Sequence, residues 1–142
     1  MADIFATGYS SPNSFSAEMG NAFIATFSHA SAAAAAGDKI YMGILPAGVR
    51  IDLVRANFSD TGTGNTVDVG YEPVDGSTPS AVLNYWWNDL DTASAALPAA
   101  FSSAAPIAFD KPVKVVILVN SADLSGTPTF RLTFLGDMVG AK

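Results

Sequence analysis

Between Gly37 and Tyr71 apolar residues recur at every second position, in three runs separated by turn residues. Ile40, Met42 and Ile44 alternate with Tyr41 and Gly43; Val49, Ile51 and Leu53 alternate with Arg50 and Asp52; Val67 and Val69 alternate with Asp68 and Gly70. Successive side chains of a strand point to opposite faces, so a period of two writes strands with one buried face, whereas a helix repeats at 3.6. Pro46 presets φ for the first turn and Gly48 releases the chain into the next strand. In the second connection, Asp60-Thr61-Gly62-Thr63-Gly64-Asn65 places Asp at a turn start and glycines where φ becomes positive. The segment predicts a meander of three strands.

The rest of the chain continues in the same idiom. Phe23 to Ser28, Ala81 to Trp87, Ile107 to Phe109 and Thr129 to Leu135 each read as a short strand. Val113 to Val119 is apolar on both faces, the pattern of a central strand covered on two sides. About eight short strands with loop-rich joints predict an all-β fold, a single two-layer β-sandwich or jelly roll, over any α/β arrangement. The expected core is Ile40, Met42, Ile51, Leu53, Val67, Val69, Val115, Ile117, Leu132 and Phe134. The Ala-, Ser- and Pro-rich stretch from Asp91 to Pro106 reads as a long loop or short surface helix.

Residues 1–37 differ in composition, being rich in Ser, Ala and Asn. They predict an N-terminal arm outside a sandwich domain of residues 38–142, with Ala32 to Gly37 as the joint. Five alanines are too few to hold a helix alone, because isolated helices need about 12–15 residues. The alternative for such a segment is a disordered tail, but disordered tails are poor in aromatics, so Phe5, Tyr9, Phe15 and Phe23 mark the arm as a segment that docks on a neighbouring subunit and serves assembly rather than folding.

Only 14% of the 142 residues are charged and 49% are hydrophobic, against a usual charged share of about 25%. A surface so poor in charge is expected to be covered by copies of the chain or by a partner. The net charge of −6 and seven scattered basic residues argue against nucleic acid. The lack of cysteine excludes a disulfide framework and fits synthesis in a reducing cytoplasm. The first residues lack the basic start and apolar run of a secretory signal, and no window reaches about 18 consecutive apolar residues, so no membrane partner is expected.

The residues offer little chemistry. His29, in Ser28-His29-Ala30-Ser31, is the single histidine, which rules out a two-His metal site within one chain, and it reads as a solvated polar residue. The serines lack a Gly-x-Ser-x-Gly elbow. Asp60-Thr61-Gly62 resembles the active-site loop of aspartic proteases, which would need Asp60 from two chains sharing a proton. Its continuation into a strand favours a turn. Asn88-Asp89-Leu90-Asp91 could touch Ca²⁺ but lacks the glycine and terminal Glu of an EF-hand loop. No cofactor or metal is expected. Tyr85-Trp86-Trp87 concentrates the aromatics; at least one Trp faces inward, and an outward one would anchor an interface or stack on a sugar.

Taken in order, these motifs resemble the small head-decoration, or cement, proteins of tailed bacteriophages. The likeness is carried by Gly37-Asp38 with Ile40 through Gly48, Asp60 to Gly64, Val67 to Gly70, Pro106 to Phe109, Val113 to Val119 and Gly126-Thr127, so it spans about Gly37 to Leu135. The resemblance implies a non-enzymatic virion protein that binds the major capsid protein on the outside of an assembled shell and stabilises it, as a homo-oligomer, dimer or trimer. The interface candidates are Phe5, Tyr9, Phe15, Tyr85, Trp86 and Trp87. A carbohydrate-binding jelly roll on a virion and a dimeric aspartic protease are the alternatives from other classes.

Overall fold

A computed structural model describes residues 2–6, 9, 13–16, 21–30, 34–59, 61, 64–92 and 100–140, with side chains excepted at 13–16. Its strands are β1 (Asp3–Phe5), β2 (Asn13–Ser16), β3 (Ala22–Ala30), β4 (Lys39–Leu45), β5 (Val49–Phe58), β6 (Thr66–Pro73), β7 (Val82–Asp91), β8 (Ala100–Phe101), β9 (Ile107–Phe109), β10 (Val113–Val119) and β11 (Thr129–Met138). They form two sheets, β1-β4-β10-β6-β7 and β2-β3-β11-β5-β8, with β9 also paired to β5. Antiparallel pairs nest along the chain: β6 with β7, β5 with β9, β4 with β10, β3 with β11. A long strand hairpin rolled so that its inner and outer pairs alternate between two sheets is a jelly roll. The fold is therefore all-β, a two-layer sandwich of jelly-roll topology.

Alternation predicted from the sequence explains most of the core. Ile40, Met42, Ile51, Val67, Val69, Val115, Ile117, Leu132 and Phe134 are all buried between the sheets. Aromatic rings fill the centre edge to face, Phe27 against Phe134, Phe58 against Phe130, and Trp86 against Phe134. Gly43 leaves the space Phe27 occupies, since a Cβ there would lie 2.4 Å from its ring. The turn at Gly48 and the one at Gly64 have positive φ, as their glycines require.

Leu53 departs from expectation: it is 38% exposed, while its neighbour Val54 is buried. The β5–β11 register shifts between Leu135 and Gly136, so that Leu53 opposes Leu135 and Ile51 opposes Gly136. Asp52 is the extra residue of a β-bulge, which reverses the inward phase from Val49 and Ile51 to Val54, Ala56 and Phe58. Gly136 makes this possible, because a Cβ there would stand 1.7 Å from the Arg50 carbonyl oxygen. A second shift, in β4 opposite Val115 and Val116, turns Ile44 outward and buries Leu45 instead.

The division at Gly37 is also corrected. β3 lies inside the second sheet between β2 and β11 and contributes buried Phe23, Ala25 and Phe27, so residues 22–30 are part of the sandwich. β1 pairs in parallel with β4. Ser, Ala and Asn dominate the composition of the segment, yet the pairing partner, not the local composition, decides where a strand belongs.

Candidate functional site

Two aromatic groups carry the interface expectations, and the fold uses each differently. On the outer face of the first sheet, β1 brings Phe5 flat onto Tyr41 at 5.0 Å, with Tyr9 edge-on to both. Tyr41 donates its hydroxyl to Glu72 Oε2 at 3.1 Å, Lys114 Nζ lies 4.8 Å above its ring, and Lys39 and Lys114 both pair with Glu72. Burial alone would raise the Glu72 carboxyl, but hydrogen bonds from Lys39 and Tyr41 and the two lysine charges outweigh it and hold it below the usual range. Burial, then the bond to Glu72, pushes the Tyr41 hydroxyl up. Asp38 anchors the same segment by accepting from the Ala2 and Ala35 amides, at 2.7 and 2.9 Å, which lowers its carboxyl. Phe5 nevertheless keeps 54% of its surface exposed. Phe15 stands beside Ile24 in register, but its side chain is outside the described residues.

The second group is Tyr85-Trp86-Trp87 in β7. Two steps of β6, from Tyr71 to Val69, are matched by five steps of β7, from Val82 to Trp87, so the intervening residues bulge. Gly70 admits this bulge, because a Cβ there would meet the Val82 carbonyl oxygen at 2.0 Å. Trp86 turns into the core, 5% exposed, against Tyr71, Phe109 and Phe134. Trp87 is half-buried and also packs against the core, and Tyr85 donates its hydroxyl to the Ala105 carbonyl at 2.9 Å. Ser102 Oγ donates to the Trp86 carbonyl at 3.0 Å. The cluster thus pins residues 102–105 to the sandwich. Trp86 is a packing residue, which leaves Trp87 and Tyr85 as the partly exposed members.

The remaining candidates are structural in their contacts. Asp60 lies outside the described residues, but Thr61 is buried and donates through Oγ1 to the Thr92 carbonyl at 2.7 Å, while Asn65 Nδ2 donates to the Thr61 carbonyl. These bonds tie the β5–β6 connection to the end of β7, as a turn requires. Asp68 accepts from the Asp89 amide at 2.8 Å and from Asn120 Nδ2 at 2.6 Å, which fixes Asp89 at a φ of 55°. Among the described residues no group of three His, Cys, Asp or Glu side chains is placed to hold a metal, and no helix is long and apolar enough to cross a membrane. His29 is not solvated as expected: it lies in β3 opposite Phe130, in the inward phase of Phe23, Ala25 and Phe27. Both its ring nitrogens are shielded, and burial lowers its pKa.

No family model matches the chain, and no curated protein does. Two solved phage capsid structures contain its fold. A chain in the capsid of Ralstonia phage GP4 aligns with a TM-score of 0.69 at 19% identity, covering 95% of this chain and 97% of that one. A chain in the cyanophage Pam1 capsid asymmetric unit aligns with a TM-score of 0.63 at 15% identity, covering 87% and 89%. At such identities the likeness is one of fold.

Sequence reasoning missed the outward residues of the second sheet, Leu53 and Phe101 above all, the latter 59% exposed. A signal existed for Leu53. Val54, Ala56 and Phe58 alternate in the phase opposite to Val49 and Ile51, and only a bulge between the runs buries both.

Proposed function

We propose that this chain is a structural virion protein that binds the outer surface of an assembled phage capsid, through its major capsid protein, and stabilises the shell without catalysis or cofactor. The observation that carries this reading is the shared jelly roll, aligned over nearly the whole of this chain and of chains in the capsids of two different phages. The motif order from Gly37 to Leu135 supports the decoration role specifically, and the low charge content supports assembly of copies as a dimer or trimer. A closely packed antiparallel sandwich suits such a role, since a rigid body loses little conformational freedom when it docks.

The test uses heads of the encoding phage prepared without this protein. The purified chain should sediment with them on a gradient and raise the temperature at which they rupture. Heads that neither bind the chain nor gain heat resistance from it overturn the reading. Of the two anchors the carbohydrate alternative could use, Trp86 is packed in the core, which leaves only the half-buried Trp87.

A further inference from the structure

The outer face of the second sheet differs in character from that of the first. On the first sheet, Lys39 and Lys114 are both engaged by the carboxylate of Glu72, beside the Phe5–Tyr41 stack. On the second, Ile24, Leu135 and Leu53 stand in one cross-strand row over β3, β11 and β5. None of the three packs against the core, and Phe101 extends the patch from β8, beside Arg55 in register. The bulge at Asp52 is what aims Leu53 into this row, and bulges commonly serve to re-aim a side chain.

The charge on this face runs against that of the chain. Arg50 is neutralised by Asp52 and Asp137, at 2.8 and 2.6 Å. Arg55 and Arg131, both exposed and on adjacent strands, have no ion pair among the described residues. In a chain of net charge −6, this face carries three of the seven basic residues and, among the described acidic ones, only Asp52 and Asp137. A second copy docked face to face would bring two pairs of free arginines onto one patch, which like-charge repulsion disfavours. An acidic surface with apolar side chains is the complement.

We infer that the outer face of the β3-β11-β5 sheet is the docking surface for an acidic, apolar-studded protein surface, which is the outside of the capsid shell. The inference rests on the function proposed above. Leu53, Leu135, Ile24 and Phe101 supply the apolar contact, and Arg55 and Arg131 set orientation and specificity.

The experiment compares binding to heads lacking the protein for wild type, Arg55→Glu with Arg131→Glu, Leu53→Ser with Phe101→Ser, and Lys111→Glu. Lys111 is exposed at the turn before β10, so its reversal changes net charge away from the face. Thermal melts confirm that each variant is folded. Both face variants should bind at least tenfold more weakly, and Lys111→Glu should bind within twofold of wild type. Undiminished binding by the face variants, or an equal loss in Lys111→Glu, overturns the docking face and leaves the capsid reading standing. Face variants that lose self-association in sedimentation velocity while still binding heads assign the face to a contact between copies and overturn the inference. A wild type that never sediments with heads overturns the capsid reading and the docking face with it.

Discussion

The bulge in β5 makes two adjacent residues energetically opposite, and a matched pair of truncations measures it. Strict alternation from Val49 and Ile51 places Leu53 in the core and Val54 outside; the structure exposes 38% of Leu53 and 1% of Val54. Truncating Val54 to Ala removes two methyl groups' worth of buried surface, about 1.6 kcal/mol at roughly 0.8 per methylene-sized group. The cavity left in a packed interior brings the expected cost to about 2–3 kcal/mol. Truncating Leu53 to Ala removes more atoms but from a surface position, where substitutions usually stay within about 0.5 kcal/mol. Urea unfolding followed by Trp fluorescence suits the comparison, because Trp86 is buried in the core and reports its opening. The midpoint should fall for Val54→Ala and barely move for Leu53→Ala, with equal slopes. If Leu53→Ala costs as much as Val54→Ala or more, the bulge and the outward aim of Leu53 are wrong.

Three further outcomes are expected. Gly136→Ala should destabilise by about 1–3 kcal/mol or more, read from thermal melts, because its Cβ would stand 1.7 Å from a backbone oxygen that the ladder holds in place. Deleting residues 1–31 should abolish cooperative unfolding in calorimetry, since it removes β3 with Phe23, Ala25 and Phe27; a deletion that melts like the full chain would restore residues 1–37 as an arm outside the domain. Asp38 has its carboxyl lowered by the Ala2 and Ala35 amides, so its contribution is present above the ordinary value of 3.8 and lost as pH falls through the lowered one. The protection factors of the Ala6 and Lys39 amides, which remove the intrinsic pH dependence of exchange, should therefore fall in acid and stay flat near neutrality, and a fall beginning at neutral pH would contradict this.

Period-two patterning determined much of this protein by itself. The all-β class, the strands around Ile40, Val67, Val115 and Leu132, and the inward faces of most of them follow from residues that alternate on a pleated strand, which is local geometry. The turn glycines are equally local. The opposed alternation of the two halves of β5 signalled a phase shift near Asp52, but tertiary structure decided which residue bulges there and decided the shift opposite Val115, because a bulge exists only relative to a partner strand. It also decided that β3 belongs to the sandwich. The partner of Phe23 to Phe27 is β11, about a hundred residues away, and no local composition encodes so distant a pairing. The same holds for the candidate surfaces. Phe5 and Tyr9 were legible as aromatics, but that Tyr41 receives them, that Trp86 turns inward, and that Arg55 and Arg131 share a face with Leu53 are consequences of register, which is fixed when two sheets close over one core.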